Sequence, residues 1–219
     1  MEALLGKQSV ELDEPALMSL LDGYEEIWVD MGCGDGKLAY RLARSHPDTF
    51  FIGIDAAREN LYDRASRAAR SPKKGGAPNL LFIIAPAENL PAELHGVAHK
   101  VIINFPWGSL LRSVLTGEPA ILESLASLLR KEGRLELLLN TSLYRDEDLV
   151  ERLGLPRLDE EHVEEVMIPS FSRSGLQVVE ESLVANKELP YRTSWGRRLA
   201  DSHPMGRSWR LVATLRREG

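Results

Sequence analysis

Val29-Asp30-Met31-Gly32-Cys33-Gly34-Asp35-Gly36 stands where an apolar run, Ile27 to Met31, gives way to a helical pattern, Lys37 to Ser45. A strand that ends in closely spaced glycines and reopens as a helix is the ligand-binding turn of an open α/β sheet, because residues without a Cβ let the backbone turn sharply and approach a ligand. The spacing here is G-x-G-x-G, whereas a dinucleotide-binding turn requires G-x-G-x-x-G. Asp30 would repel a pyrophosphate and suits instead the ammonium end of an amino-acid-like cofactor, or ordered water around it. Asp55 closes the next apolar run, Phe50 to Ile54, nineteen positions past Gly36. A carboxylate at that point can accept both hydroxyls of a ribose.

The same alternation continues outward from this turn. Apolar runs Leu80 to Ala85, Val101 to Ile103 and Leu135 to Leu139 are separated by helical stretches that include Ala57 to Arg70 and Ala120 to Arg130. Buried strands spaced by helices of this length predict a parallel sheet covered on both faces. Residues 3 to 12 alternate and turn at Gly6-Lys7, which predicts a hairpin, and Asp13 with Pro15 caps a helix ending near Gly23. Two more strands, Leu176 to Ala185 and Trp209 to Arg216, follow a helical, acidic insert. The expectation is one Rossmann-like α/β domain over 1–219, with a seven-stranded, mostly parallel sheet and a short N-terminal β-hairpin. Residues 1–24 supply the hairpin and first helix, 25–140 the cofactor-binding core, and 141–219 the insert and last two strands.

Composition narrows the setting. No apolar run approaches the ~18 residues of a membrane span, and the N-terminus lacks the basic start and apolar core of a secretory signal, so a cytoplasmic protein is expected. Cys33, the single cysteine, excludes an internal disulfide, and five scattered histidines predict no metal site. The net charge of −6 speaks against a nucleic-acid partner. Its distribution argues the other way: Arg64, Arg67, Arg70, Lys73 and Lys74 occur with no acid among them, and residues 191–219 hold seven arginines against Asp201 and Glu218. The acids concentrate between Arg145 and Pro190, so a basic face remains to meet RNA.

Taken singly, the cofactor candidates have plain alternatives. Asp30 could be a surface acid or a cap, and Asp55 would cap the helix from Ala57 in any α/β fold. Their order around Gly32, Gly34 and Gly36, at the ends of consecutive strands, is what points to a cofactor. Ala87-Glu88, after the third strand, falls near a bound adenine ring by the same topology, although Glu88 reads equally as a solvated acid. Cys33 has no basic neighbour in sequence to activate it and reads as a small loop filler. This set resembles the nucleoside and methionine sites of class I methyltransferases, which implies S-adenosylmethionine as cofactor and S-adenosylhomocysteine as product.

The fourth strand leads into Asn104-Phe105-Pro106-Trp107-Gly108, at the carboxyl edge where open α/β folds bind ligands. The stretch looks like the N-P-P-aromatic loop of amino-group adenine methyltransferases, whose ring stacks on an extruded base, a contact worth ~1–3 kcal/mol. A tryptophan taken at random is more often a core residue. Trp195 shifts that balance, since it stands in the polar and basic segment Tyr191-Arg192-Thr193-Ser194-Trp195-Gly196-Arg197-Arg198, a poor setting for a core residue. Two tryptophans on loops at either side of one pocket could clamp a flipped base.

With these pieces the chain resembles the aminoglycoside-resistance methyltransferases that modify N1 of adenine 1408 in the decoding site of 16S rRNA, the kanamycin and apramycin resistance family. The resemblance runs nearly end to end, through Asp30 to Lys37, Lys74-Gly75-Gly76, Phe105-Pro106-Trp107-Gly108-Ser109-Leu110-Leu111 and Ser194 to Leu199. It implies that Trp107 and Trp195 enclose the target adenine, that Thr193 sits by cofactor and base, and that Arg67, Arg70, Lys74 and Arg207 grip rRNA phosphates. Arg64, Lys73, Arg197 and Arg198 join the RNA candidates through their basic clusters. Asn104 departs from the aliphatic residues of that family and takes no role from it; by position it counts as a cofactor-site candidate. The expected partner is 16S rRNA within the assembled 30S subunit, met by a monomer without metal or membrane. Two alternatives stay open: a transfer RNA guanine-N7 methyltransferase, whose stretch from Asp30 to Asp55 looks similar, and a catalytically idle protein of the same fold that binds ribosomal subunits.

Overall fold

Gly6, at φ +67°, closes the predicted hairpin of β1 (Glu2–Leu5) and β2 (Gln8–Glu11). In the computed structural model, which describes residues 1–189, 191 and 206–216, α1 (Glu14–Leu21) follows, with the Asp13 carboxylate accepting from the Ala16 N–H at 3.0 Å. Then come β3 (Glu26–Met31), α2 (Lys37–Ser45), β4 (Thr49–Asp55), α3 (Arg58–Ala68), β5 (Leu80–Ile84) and β6 (Ala98–Asn104). The rest is α4 (Gly108–Thr116), α5 (Pro119–Ser127), β7 (Leu129–Asn140), α6 (Glu147–Leu153), α7 (Glu160–His162), α8 (Ile168–Arg173), β8 (Leu176–Ala185) and β9 (Arg207–Leu215).

One sheet takes in every strand among the described residues, in the order β2-β1-β5-β4-β3-β6-β7-β9-β8. The seven strands β3 to β9 are the expected set. Their inner five pair in parallel, while β9 runs antiparallel between β7 and β8. The hairpin adds two strands that were not expected in the sheet, because Ala3 and Leu4 pair with Ile83 and Phe82 of β5. Ala3 and Leu4 are buried there, so docking the hairpin covers what would otherwise be an open sheet edge.

Helices lie on both faces. Ala39 and Ala43 of α2 and Leu61 and Ala65 of α3 pack against Phe51 and Phe82, whereas α1, α4, α5 and α8 cover Val29, Ile52, Val101 and Leu137 from the other side. The helix expected over Ala120 to Arg130 ends at Ser127 instead. Leu129 pairs with Ala98 of β6, and burying that leucine in the sheet overrides helical propensity at the helix end. The helical stretch expected over Ala57 to Arg70 is also trimmed, to Arg58–Ala68.

The connection out of β3 goes to β4 and β5 on one side, and the chain then returns to β6 on the other. The carboxyl ends of β3 and β6 therefore flank the point where strand order reverses, and a crevice opens there in such sheets.

Candidate active site

Residues of separate loops need not meet, yet the turn after β3, the ends of β4 and β5, and the loop after β6 line one cleft of about 530 Å³. It contains Asp30, Gly32, Gly34, Asp55, Ala87, Glu88, Asn104 and Trp107, eight of the residues singled out in the sequence. Gly36 is not in its lining. It begins α2 at φ +64°, and a Cβ there would stand 2.5 Å from the Phe82 ring, so its place is in the packing beneath the turn. Gly32 joins the two halves of the cleft, since a Cβ on it would reach 3.0 Å from Leu110 of α4.

Asp55 holds the glycine turn in shape. Its Oδ2 accepts the Gly34 N–H at 2.8 Å and its Oδ1 accepts the Ala57 N–H at 2.9 Å. The capping alternative is thus part of the geometry, but each oxygen keeps a second lone pair. Asp30 is only 4% exposed, and its Oδ2 has no hydrogen-bond partner among the described residues. Burial pushes its carboxyl up to about 7, with Asp55 and Asp35 adding to the rise and the Ala39 N–H opposing it. Such a carboxylate calls for a cation. Burial, reinforced by Asp30 and Asp55, also pushes the Cys33 thiol up, and it packs beside Phe51 and Phe82 as a filler.

On the opposite side, Phe105 adopts φ +51°, a left-handed conformation that costs a residue with a Cβ. Pro106 is buried, and Trp107 emerges 53% exposed at the start of α4. A core tryptophan would be covered, so that alternative does not describe Trp107. The helix α4 was not anticipated; Gly108 and Ser109 hid its start, although Leu110, Leu111, Val114 and Leu115 carry a helical apolar pattern.

The basic candidates divide. Arg67, Arg70, Lys73 and Lys74 are exposed, and Arg64 is half-buried with its Cβ near Gly36. Because α3 is the crossover between parallel β4 and β5, it runs from the cleft edge of the sheet to the opposite edge, and the cationic row follows it. The Tyr40 hydroxyl donates to the Gly75 carbonyl and ties the Lys73-Lys74 turn to α2. Arg207 is exposed at the start of β9, beside Thr141 and Ser142 after β7, again on the cleft edge. Thr193, Trp195, Arg197 and Arg198 lie outside the described residues. Among those described, no group of three or more His, Cys, Asp or Glu side chains could hold a metal ion.

One cluster went unread in the sequence. Glu136, 2% exposed on β7, accepts from Lys100 at 2.7 Å, from Arg210 at 2.6 Å and from the Tyr191 hydroxyl at 2.8 Å. Desolvation opposes ionisation of Glu136, but these partners prevail and hold its carboxyl below the ordinary value. Tyr191 also packs with Leu38, Ile102 and Leu138, and Leu38 lines the cleft. A glutamate inside the apolar run Leu135 to Leu139 was the available signal.

Known proteins resemble the chain over most of its length. A family model described as 16S rRNA (adenine(1408)-N(1))-methyltransferase matches residues 2–212. An Escherichia coli 16S rRNA (adenine(1408)-N(1))-methyltransferase is 34% identical over 199 residues, covering 90% of this chain and 91% of its own. The crystal structure of a variant of the enzyme of that name from Catenulisporales acidiphilia, with cosubstrate SAM, superposes with a TM-score of 0.87 at 33% identity, covering 100% of this chain and 98% of that one. The aminoglycoside resistance methyltransferase NpmB1 superposes with a TM-score of 0.87 at 35% identity, covering 98% and 99%. A tRNA (guanine-N(7)-)-methyltransferase of Chloroflexus aurantiacus is 32% identical, but over 54% of this chain and 53% of its own.

Proposed function

Because the chain belongs to the 16S rRNA (adenine(1408)-N(1))-methyltransferase family, we propose that the cleft between β3 and β6 is where it methylates that adenine, with cofactor and base entering from opposite sides. The protein is an S-adenosylmethionine-dependent enzyme that transfers a methyl group to N1 of adenine 1408 in 16S rRNA. The transfer RNA alternative is less supported, since the guanine-N7 relative matches only about half of the chain.

The observation that carries the assignment of the site is the buried Asp30 carboxylate, whose Oδ2 has no partner among the described residues, in a cleft that also holds Asp55 and Glu88. Asp30 fits the ammonium of the methionine moiety. Asp55, with a lone pair to spare on each oxygen, fits the ribose hydroxyls, and Glu88 with Ala87 fits the edge of the adenine ring. When bound, S-adenosylmethionine supplies a methyl group on a positively charged sulfur, ready for nucleophilic attack. N1 of adenine has an in-plane lone pair and needs no deprotonation, so the residues of the chain act by placement and not as general bases. Trp107 offers an exposed ring on which a flipped base stacks while positive charge develops on it. Trp195 is the second ring of the clamp in this reading, with Thr193 beside cofactor and base. Arg64, Arg67, Arg70, Lys73, Lys74, Arg197, Arg198 and Arg207 meet rRNA phosphates, and the substrate is the assembled 30S subunit, met by a monomer in the cytoplasm.

Tritiated methyl transfer to purified 30S subunits and, in parallel, to transfer RNA, followed by mapping of the modified base, tests this function. Label at N1 of adenine 1408 is the expected result. Label in transfer RNA alone, or none in either RNA, refutes it.

A further inference from the structure

The Asn104 side chain has both of its amide atoms, Nδ2 and Oδ1, buried and without a hydrogen-bond partner among the described residues. A buried donor or acceptor left unmet destabilises the fold by the full cost of its lost hydration. An amide held in that state inside a ligand cleft is complementary to a ligand that presents a donor and an acceptor side by side.

Its place in the sheet says which ligand. The register sets Ile102 of β6 beside Asp30 of β3, so Asn104 stands two residues, roughly 6–7 Å, further along toward the Trp107 loop. The carboxylates Asp30, Asp55 and Glu88 line the part of the cleft built by β3, β4 and β5, and they account for the donors of the cofactor. The part built from β6 and α4 is lined by Phe105, Pro106, Trp107 and Leu110, and Asn104 supplies its buried amide. The left-handed turn at Phe105 follows at once and separates the inward amide from the outward Trp107 ring. Strain of this kind persists where the surrounding structure requires it.

We propose that Asn104 is a specificity-determining residue that reads the target base: its Oδ1 accepts from the 6-amino group of adenine while its Nδ2 donates to N7. Asparagine matches that edge of adenine in a bidentate manner. The amino group lies between N7 and N1, so an amide on the N7 side leaves the N1 lone pair free to face the methyl group. Guanine presents an acceptor at both positions of the same edge and carries a proton on N1, so it fails both requirements. The inference rests on the functional reading above and adds to that site a contact of this chain that discriminates adenine.

The test uses 30S subunits reconstituted with 16S rRNA carrying adenosine, purine riboside or 7-deazaadenosine at the target position, with S-adenosylmethionine affinity measured separately by calorimetry. For the unaltered chain, loss of the 6-amino group or of N7 should each slow single-turnover transfer about tenfold or more. Asn104→Leu should transfer to adenosine about tenfold or more slowly than the parent and should narrow the preference of the parent for adenosine over purine riboside by about tenfold, the rest of that preference being the weaker nucleophilicity of N1 in a ring without the 6-amino group, with cofactor affinity changed by less than about twofold. Asn104→Asp has the same shape, keeps the acceptor and loses the donor; it should retain the preference for adenosine over purine riboside and lose that over 7-deazaadenosine. A fall in cofactor affinity with the base preferences intact would give the amide to the cofactor and overturn the inference, as would unchanged rates in both variants. Absence of transfer to any subunit by the unaltered, cofactor-binding chain would instead overturn the functional reading, and this inference with it.

Discussion

Replacing Asp30 by Asn separates what the buried carboxylate costs the fold from what it does for the ligand. Burial raises its carboxyl from 3.8 to about 7. A group raised in this direction stabilises the fold fully below its unfolded value, and the contribution is lost as the pH climbs through the folded one. At about 1.36 kcal/mol per pH unit, ionised Asp30 costs the ligand-free protein on the order of 4 kcal/mol at pH 8, an upper bound because relaxation and water penetration reduce it. The amide carries no such charge. Asp30→Asn should therefore unfold at higher denaturant concentration than the parent at pH 8, and the two should converge near pH 4. Cofactor binding should respond in the opposite sense, because the ammonium favours the ionised carboxylate. Parent affinity should fall by up to about tenfold per pH unit below 7, while that of the variant should be weak and nearly flat. The comparison belongs between pH 5 and 7, since a free α-amino group begins to lose its own proton at about 7.7–8.0. Calorimetric titrations in two buffers of different ionisation enthalpy would also register proton release on binding. A parent affinity independent of pH over that range, or a variant no more stable than the parent at pH 8, refutes the reasoning.

Two further outcomes bear on the substrate side. Trp107→Ala should lower the methylation rate about ten- to a hundredfold through lost stacking and alignment, with Phe restoring part of it and cofactor affinity unchanged. Because the ring is 53% exposed, its melting temperature should move by no more than about 2–4 °C; a stable Ala variant with full rate would remove the platform. Reversing Arg67 and Arg70 to Glu should abolish measurable binding to 30S subunits and leave calorimetric cofactor affinity intact, and equal subunit affinity would take this row out of the interface.

The half of the cleft proposed for the cofactor was legible in the sequence because it is local. A strand, a glycine turn and a helix are contiguous, and α2 forms over the residues expected, Lys37–Ser45. Asp55 and Glu88 could be placed by topology alone, since consecutive parallel strands bring their carboxyl ends to one edge. What stayed hidden depends on partners distant in sequence. The docking of the hairpin on β5 rests on the pairing of Ala3 with Ile83, and no local pattern specifies it. The Glu136 cluster gathers Lys100, Tyr191 and Arg210 from three other segments, and the alternation of β7 showed only one glutamate out of place. The end of α5 was misplaced for the same reason, because Leu129 is committed to Ala98 on a neighbouring strand.

The residues that do most to define the site are those the ligand-free fold leaves unsatisfied. Four buried side-chain polar atoms among the described residues have no partner, and three of them, Asp30 Oδ2 with Asn104 Oδ1 and Nδ2, belong to residues that line the same cleft. Folded proteins rarely tolerate such atoms, and a motif alone does not reveal them, since Asp30 and Asn104 could each have been solvated or capped. Their concentration ties the glycine turn of β3 to the loop of β6 more firmly than the resemblance of either stretch does. It also accounts for a reaction without a general base. The chain has no proton to remove from N1 of adenine, so under the proposed reading its polar groups meet an ammonium and a base edge from fixed positions, and each bound group relieves a cost already present in the fold.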